Sequence, residues 1–543
     1  MTVQTVAVEP FDDQKPGTSG LRKKTRAFRR PHYLECFVQA IFDAIGGASG
    51  KTFVLGGDGR AFSPEAAQVI LRMAAANGAA RVIVGQGALL STPAASHLIR
   101  KRGTDGGIIL SASHNPGGED GDFGVKFNTA TGGPAPEPVT ERIYAASRDL
   151  TDYRIMQTGD ADLARLGTQA MGDMLIEVVD PVADYADLME NLFDFRAISA
   201  LFQSGFRMRF DAMNAITGPY ATEVLERRIG APAGTVIRAV PLPDFGGAHP
   251  DPNPTWADTL MAEMMAPDGP DFGAASDGDG DRNMILGRGV YVSPSDSIAV
   301  LAANATLVPA YAAGLAGVAR SMPTSAALDR VAAALDIECH ETPTGWKFFS
   351  QLLDANRATL CGEESFGTGS NHVREKDGLW AVLMWLNILA ERKESVREIL
   401  EGHWRRFGRN YYSRHDYEAL DAAVAERVVA GLRERLPTLA VQAIDGRTVV
   451  LADDFAYTDP VDGSVTPGQG LRIVFGDGAR IILRKSGTGT EGATLRLYLE
   501  RIVAGPDGLT EDAQEALAGI VALAEDLLRI KALSGRTGPD VIT

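Results

Sequence analysis

The chain lacks the residues that would tie it to an oxidising compartment, a zinc site or a membrane. Three cysteines in 543 residues, Cys36, Cys339 and Cys361, are odd in number and widely spaced, which excludes a disulfide framework. Eight histidines with no CxxC or HxxxH pair leave no zinc-ligand spacing. The start, Met1-Thr2-Val3-Gln4 leading to Asp12-Asp13, has neither a basic segment nor an apolar one, so no signal peptide and a cytoplasmic location are expected. Positive charge is also short: 53 Lys and Arg face 70 Asp and Glu, a formal net charge of −17. Nucleic acid and anionic membrane are therefore excluded as partners, because polyanions would be repelled at long range. A small anion held in a locally basic cleft is not. The longest uncharged stretch, 297–319, could span a bilayer by length. It is dominated by Ala and interrupted by Asn304, Thr306, Pro309, Gly314 and Gly317. It reads as an amphipathic helix near 296–308, broken at Pro309 and followed by a buried strand.

What is present is the balance of a globular protein, with 45% apolar and 23% charged residues. The length suits about three or four domains. Apolar strand-like runs (52–55, 81–84 and 107–110) alternate with helix-period segments such as 64–76, the pattern of α/β units with crossover helices. The C-terminal part differs. Segments 411–417, 448–451, 471–475 and 480–484 look like strands joined by turns, and an amphipathic helix over about 510–530 closes the chain.

Two nucleotide motifs fail. Gly46 to Thr52 suggests a P-loop, but Ile45 stands where the first glycine is required. Gly57-Asp58-Gly59 has Phe62 at the third glycine position of a dinucleotide fingerprint. Four other loops hold. Ser111-Ala112-Ser113-His114-Asn115-Pro116-Gly117-Gly118 follows a buried strand and exposes a hydroxyl beside an acid/base group, with Lys126 downstream. Neighbouring side chains on an extended strand diverge, so Ser113 and His114 need a tight turn to cooperate. Asp277-Gly278-Asp279-Gly280-Asp281-Arg282 spaces three carboxylates to fold around one hard cation; an acidic surface loop is the alternative. An EF-hand fails, since Arg282 and Arg288 occupy its required Gly and Glu positions. Gly362-Glu363-Glu364-Ser365-Phe366-Gly367 suits sugar hydroxyls, or equally caps the helix that starts near Lys376–Asp377. Arg484 to Arg496 alternates glycines with Ser486, Thr488 and Thr490 between two arginines, the donor density of an anion nest.

Jointly and in this order, the four loops resemble the α-D-phosphohexomutase superfamily from Lys15-Pro16-Gly17-Thr18-Ser19-Gly20-Leu21-Arg22 through Arg496-Leu497-Tyr498. The Glu-Glu-Ser-Phe-Gly loop and the long serine loop are most similar to its glucose-phosphate branch. The resemblance implies three related α/β domains with mixed sheets and a smaller α+β C-terminal domain around a central cleft. Expected bounds are 1–184 (catalytic serine), 185–293 (metal), 294–404 (sugar) and 405–543 (phosphate). It implies that Ser113 carries the phosphoryl group, with His114, Lys126 and Lys376 as unranked acid/base candidates. Asp277, Asp279 and Asp281 with a Ser113 oxygen would hold one Mg²⁺. Substrate contacts would come from Thr18, Arg22, Arg282, Thr344, Gly345, Glu363, Ser365, Lys376, Arg484, Ser486, Gly487, Thr488, Thr490 and Arg496. Ser111 and Val125 depart from the family's commoner Thr and Ile without touching the chemistry.

The activity so implied is interconversion of α-D-glucose 1-phosphate and glucose 6-phosphate through a phosphoserine enzyme and glucose 1,6-bisphosphate. Another phosphohexomutase, a one-way phosphatase or kinase, and a non-catalytic paralogue are the alternatives. Sugar phosphates are the expected partners, and the oligomeric state, monomer or dimer, stays open.

Overall fold

The computed structural model describes residues 2–17, 19–440, 442–486 and 492–543. Three successive parts of the chain build the same four-strand unit. In the first, Thr52–Gly57 pairs in parallel with Arg81–Leu89 on one side and Gly106–Leu110 on the other, and Asp122–Thr129 adds antiparallel to Gly106–Leu110. In the second, Met208–Asp211 lies parallel between Val236–Ile237 and Phe272–Ser276, and Asn283–Gly287 adds antiparallel. The third repeats this with Gly317–Ser321 between Glu338–Thr342 and Leu360–Glu363, and Gly367–Ser370 antiparallel. The strands leading into the site are buried at every residue, as sheets covered on both faces require.

In each unit the link from the third strand to the antiparallel fourth is one of the motif loops. Ser111–Gly121 follows Leu110, Asp277–Arg282 follows Ser276, and Glu364–Phe366 follows Glu363. Topology alone thus puts the Ser111–Gly121, Asp277–Arg282 and Glu364–Phe366 loops at equivalent sheet ends. The fourth motif lies elsewhere. It joins Arg480–Ser486 to Ala493–Val503 in an antiparallel seven-stranded sheet backed by Ala422–Leu439 and Ala513–Leu528. That sheet has its own core, whereas one large apolar cluster runs through the first three units.

The helix Gly378–Arg392 is central to that cluster: every residue from Gly378 to Leu389 is buried. The expected amphipathic helix over 296–308 is corrected. The helix is Pro294–Ala303, buried throughout Ser295–Ala302, and short 3₁₀ turns follow at Ala305–Leu307 and Pro309–Tyr311. Its polar side chains, which suggested a wet face, are met inside the protein instead. Trp385 Nε1 donates to Ser297 Oγ (2.9 Å) and Trp404 Nε1 donates to Asp296 Oδ1 (3.1 Å). No helix among the described residues is long and apolar enough to cross a membrane.

Because Leu383 is fully buried in the central helix, Leu383→Ala should cost about 2–5 kcal/mol. Denaturant unfolding should register this as a lower midpoint, and an unchanged midpoint would contradict the packing described.

Candidate active site

The serine loop is held in a conformation that serine rarely adopts. Ser113 has φ +54°, which turns its side chain away from the strand direction. The anchor is a fully buried ion pair, Asp58 with Arg60. Arg60 donates to the carbonyls of Ser113 (2.7 Å) and Asp122 (2.7 Å), gripping both ends of the loop. Ser111 Oγ donates to Asp58 (2.6 Å) and accepts from Ser113 N (2.7 Å). The hydroxyl at position 111, which serine and threonine share, thus fixes the backbone of Ser113. With the loop so fixed, Ser113 Oγ donates to Asp277 Oδ2 (2.8 Å), on the metal loop.

Oxygens of Asp277, Asp279 and Asp281 lie within 4.8 Å of one another, and all three residues are buried. The alternative of an acidic surface loop is thereby overturned. Burial, then Asp281 and Asp279, pushes the Asp277 carboxyl well above its usual range. Burial acts on Asp279 in the same direction, but Lys126 outweighs it and holds that carboxyl well below. Asp279 Oδ2 accepts from Thr92 Oγ1 (2.6 Å) and from Lys126 Nζ, and Lys376 Nζ lies 3.2 Å from Asp281 Oδ2. Asp279 Oδ1 and Asp281 Oδ1 are buried without a hydrogen-bond partner. An all-carboxylate donor set with unmet oxygens fits a hard divalent cation. Close packing fixes the loop: a Cβ on Gly278 would fall 2.3 Å from the Ser113 carbonyl oxygen.

Around this centre one cleft is lined by Arg22, His114, Lys126, Arg282, Thr344, Gly345, Glu363, Ser365, Lys376, Arg484, Ser486 and Arg496. Gly345 N donates to Glu363 Oε1 (2.9 Å), tying the two sugar-loop segments together. Neither Glu363 nor Ser365 caps the Gly378–Arg392 helix. Asp377 does so, accepting from Trp380 N (3.1 Å), and Glu363 and Ser365 line the cleft instead. Several buried polar atoms here have no hydrogen-bond partner: Arg22 Nε, Arg282 Nε, Thr344 Oγ1 and His114 Nδ1, while Arg496 Nε meets only Asp416 Oδ2, at 3.6 Å. Burial, followed by Arg282 and Arg22, pushes the His114 imidazole well below its usual range, so it is neutral at pH 7. Lys126 behaves oppositely: burial would lower it, but Asp279 and Asp281 hold it protonated. Thr18, Gly487, Thr488 and Thr490 lie outside the described residues.

Sequence reasoning missed several groups. Glu375 lines the cleft, accepts from Asn128 Nδ2 (2.9 Å), and is pushed up to about 7 by burial, against the pull of Lys126. Asp251 holds Arg282 at 3.2 Å, and Thr92 holds Asp279. Asp58 and Arg60 carried one usable signal, a Gly-flanked Asp-x-Arg after a buried strand.

Family models match almost the whole chain in order: phosphoglucomutase/phosphomannomutase α/β/α domain I over 13–154, domain II over 183–289, domain III over 294–407, and the phosphoglucomutase-1 C-terminal domain over 409–540. The chain is 58% identical over 543 residues to a phosphoglucomutase of Rhizobium radiobacter, covering 100% of both. It is 49% identical over 563 residues to phosphoglucomutase-1 of Oryctolagus cuniculus, again covering 100% of both. Among solved structures it is similar to the exocytosis-sensitive phosphoprotein pp63/parafusin of Paramecium, a phosphoglucomutase in its open form. That likeness has TM-score 0.92 and 46% identity, covering 100% of this chain and 99% of that one.

Glu375 should leave a pH signature in stability. Its folded-state value of about 7 lies above its ordinary 4.5, so the folded chain binds that proton more tightly. Its contribution is full below pH 4.5 and is lost as pH rises through 7. Denaturant unfolding of Glu375→Gln across pH 4.5–7 should show a flatter decline than the parent; equal slopes would contradict the assignment.

Proposed function

The chain belongs to the phosphoglucomutase/phosphomannomutase family and is an intramolecular phosphotransferase; from that premise we propose that it interconverts α-D-glucose 1-phosphate and D-glucose 6-phosphate through a phosphorylated Ser113 and glucose 1,6-bisphosphate. The observation that carries this reading is the convergence of three equivalent sheet-end loops, bearing a hydroxyl, a carboxylate triad and a sugar-type acid, on one cleft with unmet arginine donors. A one-way phosphatase would need the first two loops only.

In the first half-reaction the free hydroxyl of the bound sugar phosphate attacks the phosphorus carried on Ser113. Its proton passes to a base, the P–O bond to Ser113 Oγ breaks, and the sugar leaves that centre doubly phosphorylated. The bisphosphate turns around in the cleft, and the reverse transfer returns its other phosphoryl group to Ser113. Mg²⁺ on Asp277, Asp279, Asp281 and a Ser113 oxygen would supply charge neutralisation as the phosphoryl group moves. His114, neutral with Nδ1 unpartnered, suits the base. Lys126 and Lys376, each beside a triad carboxylate, suit cations that steady the transferring group and return a proton. Glu363, Ser365, Thr344 and Gly345 would take sugar hydroxyls. Arg22, Arg282, Arg484, Ser486 and Arg496, with Thr18 and the 487–490 segment, would take the phosphates. Because both ends of one ligand must fit both subsites, sugar and phosphate contacts are separate. The C-terminal domain is proposed to close over the cleft and keep water from the phosphoserine. A cytoplasmic location belongs to the same proposal.

Intact-protein mass measurement after incubation with glucose 1,6-bisphosphate should show one added phosphoryl group on the parent and none on Ser113→Ala. Equal phosphorylation of both, or steady release of inorganic phosphate during turnover, would refute the proposal. Chelation of divalent metal should abolish turnover, and Mg²⁺ should restore it.

A further inference from the structure

Immediately behind Lys376 lies a chain of buried polar side chains that the mechanism above does not use. Trp380 Nε1 can only donate, and it donates to Tyr311 OH (2.9 Å). The Tyr311 hydroxyl lies 2.5 Å from Ser370 Oγ, Ser370 Oγ lies 2.7 Å from His372 Nδ1, and His372 Nε2 lies 2.9 Å from Asp377 Oδ2. Donation forward from the indole through the two hydroxyls is matched by the His372 tautomer that carries its hydrogen on Nε2 and donates it to Asp377. From the other side Tyr185 OH donates to Asp377 Oδ1 (2.6 Å). The His372 ring stacks on Trp380, with centroids 5.3 Å apart and planes 16° apart.

Ser370, His372 and Asp377 have the composition of a nucleophilic triad, yet the arrangement cannot act as one. The serine meets Nδ1 and the acid meets Nε2. His372 and Asp377 side chains are at most 1% exposed, and none of the three lines the cleft. What the chain does reach is the backbone of the active centre. Asp377 caps the central helix, and its own N–H donates to Thr368 O (2.8 Å). The next residue, Gly378, donates to Gly280 O of the metal loop (3.0 Å), and a Cβ there would fall 2.0 Å from Arg282 O. The preceding residue, Lys376, reaches Asp281. Asp377 thus sits between the lysine and the point where the helix is clamped to the metal loop.

We infer that His372 and Tyr185 are positioning residues for Lys376: through Asp377 they set the peptide from which Lys376 reaches the triad. This rests on the reading of Lys376 as a group that touches the substrate. Buried groups that orient a site typically change activity about 10–100-fold when removed, and displacements of 1 Å cost rates on that scale.

The test uses the full-length enzyme with Mg²⁺, glucose 1-phosphate and saturating glucose 1,6-bisphosphate, with rates taken per folded molecule. His372→Ala should lower kcat about 10–100-fold with KM little changed. His372→Gln, which can still donate towards Asp377, should recover most of that loss, and Tyr185→Phe, the mildest change to the fold, should lower kcat in the same sense. The deciding variant is the double His372→Ala/Lys376→Ala. If the relay acts through Lys376, the double variant loses no more than Lys376→Ala alone. Losses that multiply, or parental kcat in both His372→Ala and Tyr185→Phe, overturn the inference while leaving the reading of Lys376 intact. Parental kcat in Lys376→Ala overturns that reading, and the inference with it.

Discussion

Three carboxylates buried within 4.8 Å of each other repel, and the arrangement persists only where positive charge is brought to them. Lys126 and Lys376 supply part of it, Lys126 from the antiparallel fourth strand of the first unit and Lys376 from the residues that lead into the central helix. Two carboxylate oxygens remain unmet, and these face the need for a cation. Because the triad must draw on both neighbours, it determines how the first three units dock. Gly278 packs on the Ser113 carbonyl, Thr92 N donates to Asp279 O (2.9 Å), and Gly378 N donates to Gly280 O. The metal loop is where the units meet, and its charge imbalance is the reason they must.

That imbalance also sorts the acid/base groups. Next to the carboxylates, Lys126 is held protonated; next to Arg282 and Arg22, His114 is held neutral. Burial favours the neutral form of both groups; the triad's negative charge overrides it at Lys126, whereas at His114 Arg282 and Arg22 add to it. The net charge of −17 is silent about this distribution.

Much of the site was legible because its reactive residues lie on short glycine-rich loops, each directly after a buried strand. The Ser113, Asp277–Arg282 and Glu363–Ser365 segments declare their chemistry in six to eight residues. Their equivalence was not legible, since the repeated four-strand unit is a matter of pairing order and leaves no short repeat in the sequence. Groups that act across long separations were hidden as well. Thr92 and Asp279 are 187 positions apart, and Asn128 and Glu375 are 247 apart. Nothing local to either partner announces the other. The helix Pro294–Ala303 misled for the same reason, its polar residues being met by tryptophan donors from distant helices.

The central claim is that the buried triad requires a cation to balance it. Thermal unfolding of the parent chain with chelator and with increasing Mg²⁺ tests this most directly. A ligand that binds only the folded state raises stability with the logarithm of its concentration. The account predicts a midpoint that climbs with Mg²⁺, and a much smaller climb in Asp279→Asn. A parent midpoint that is the same in chelator and in Mg²⁺ would contradict it.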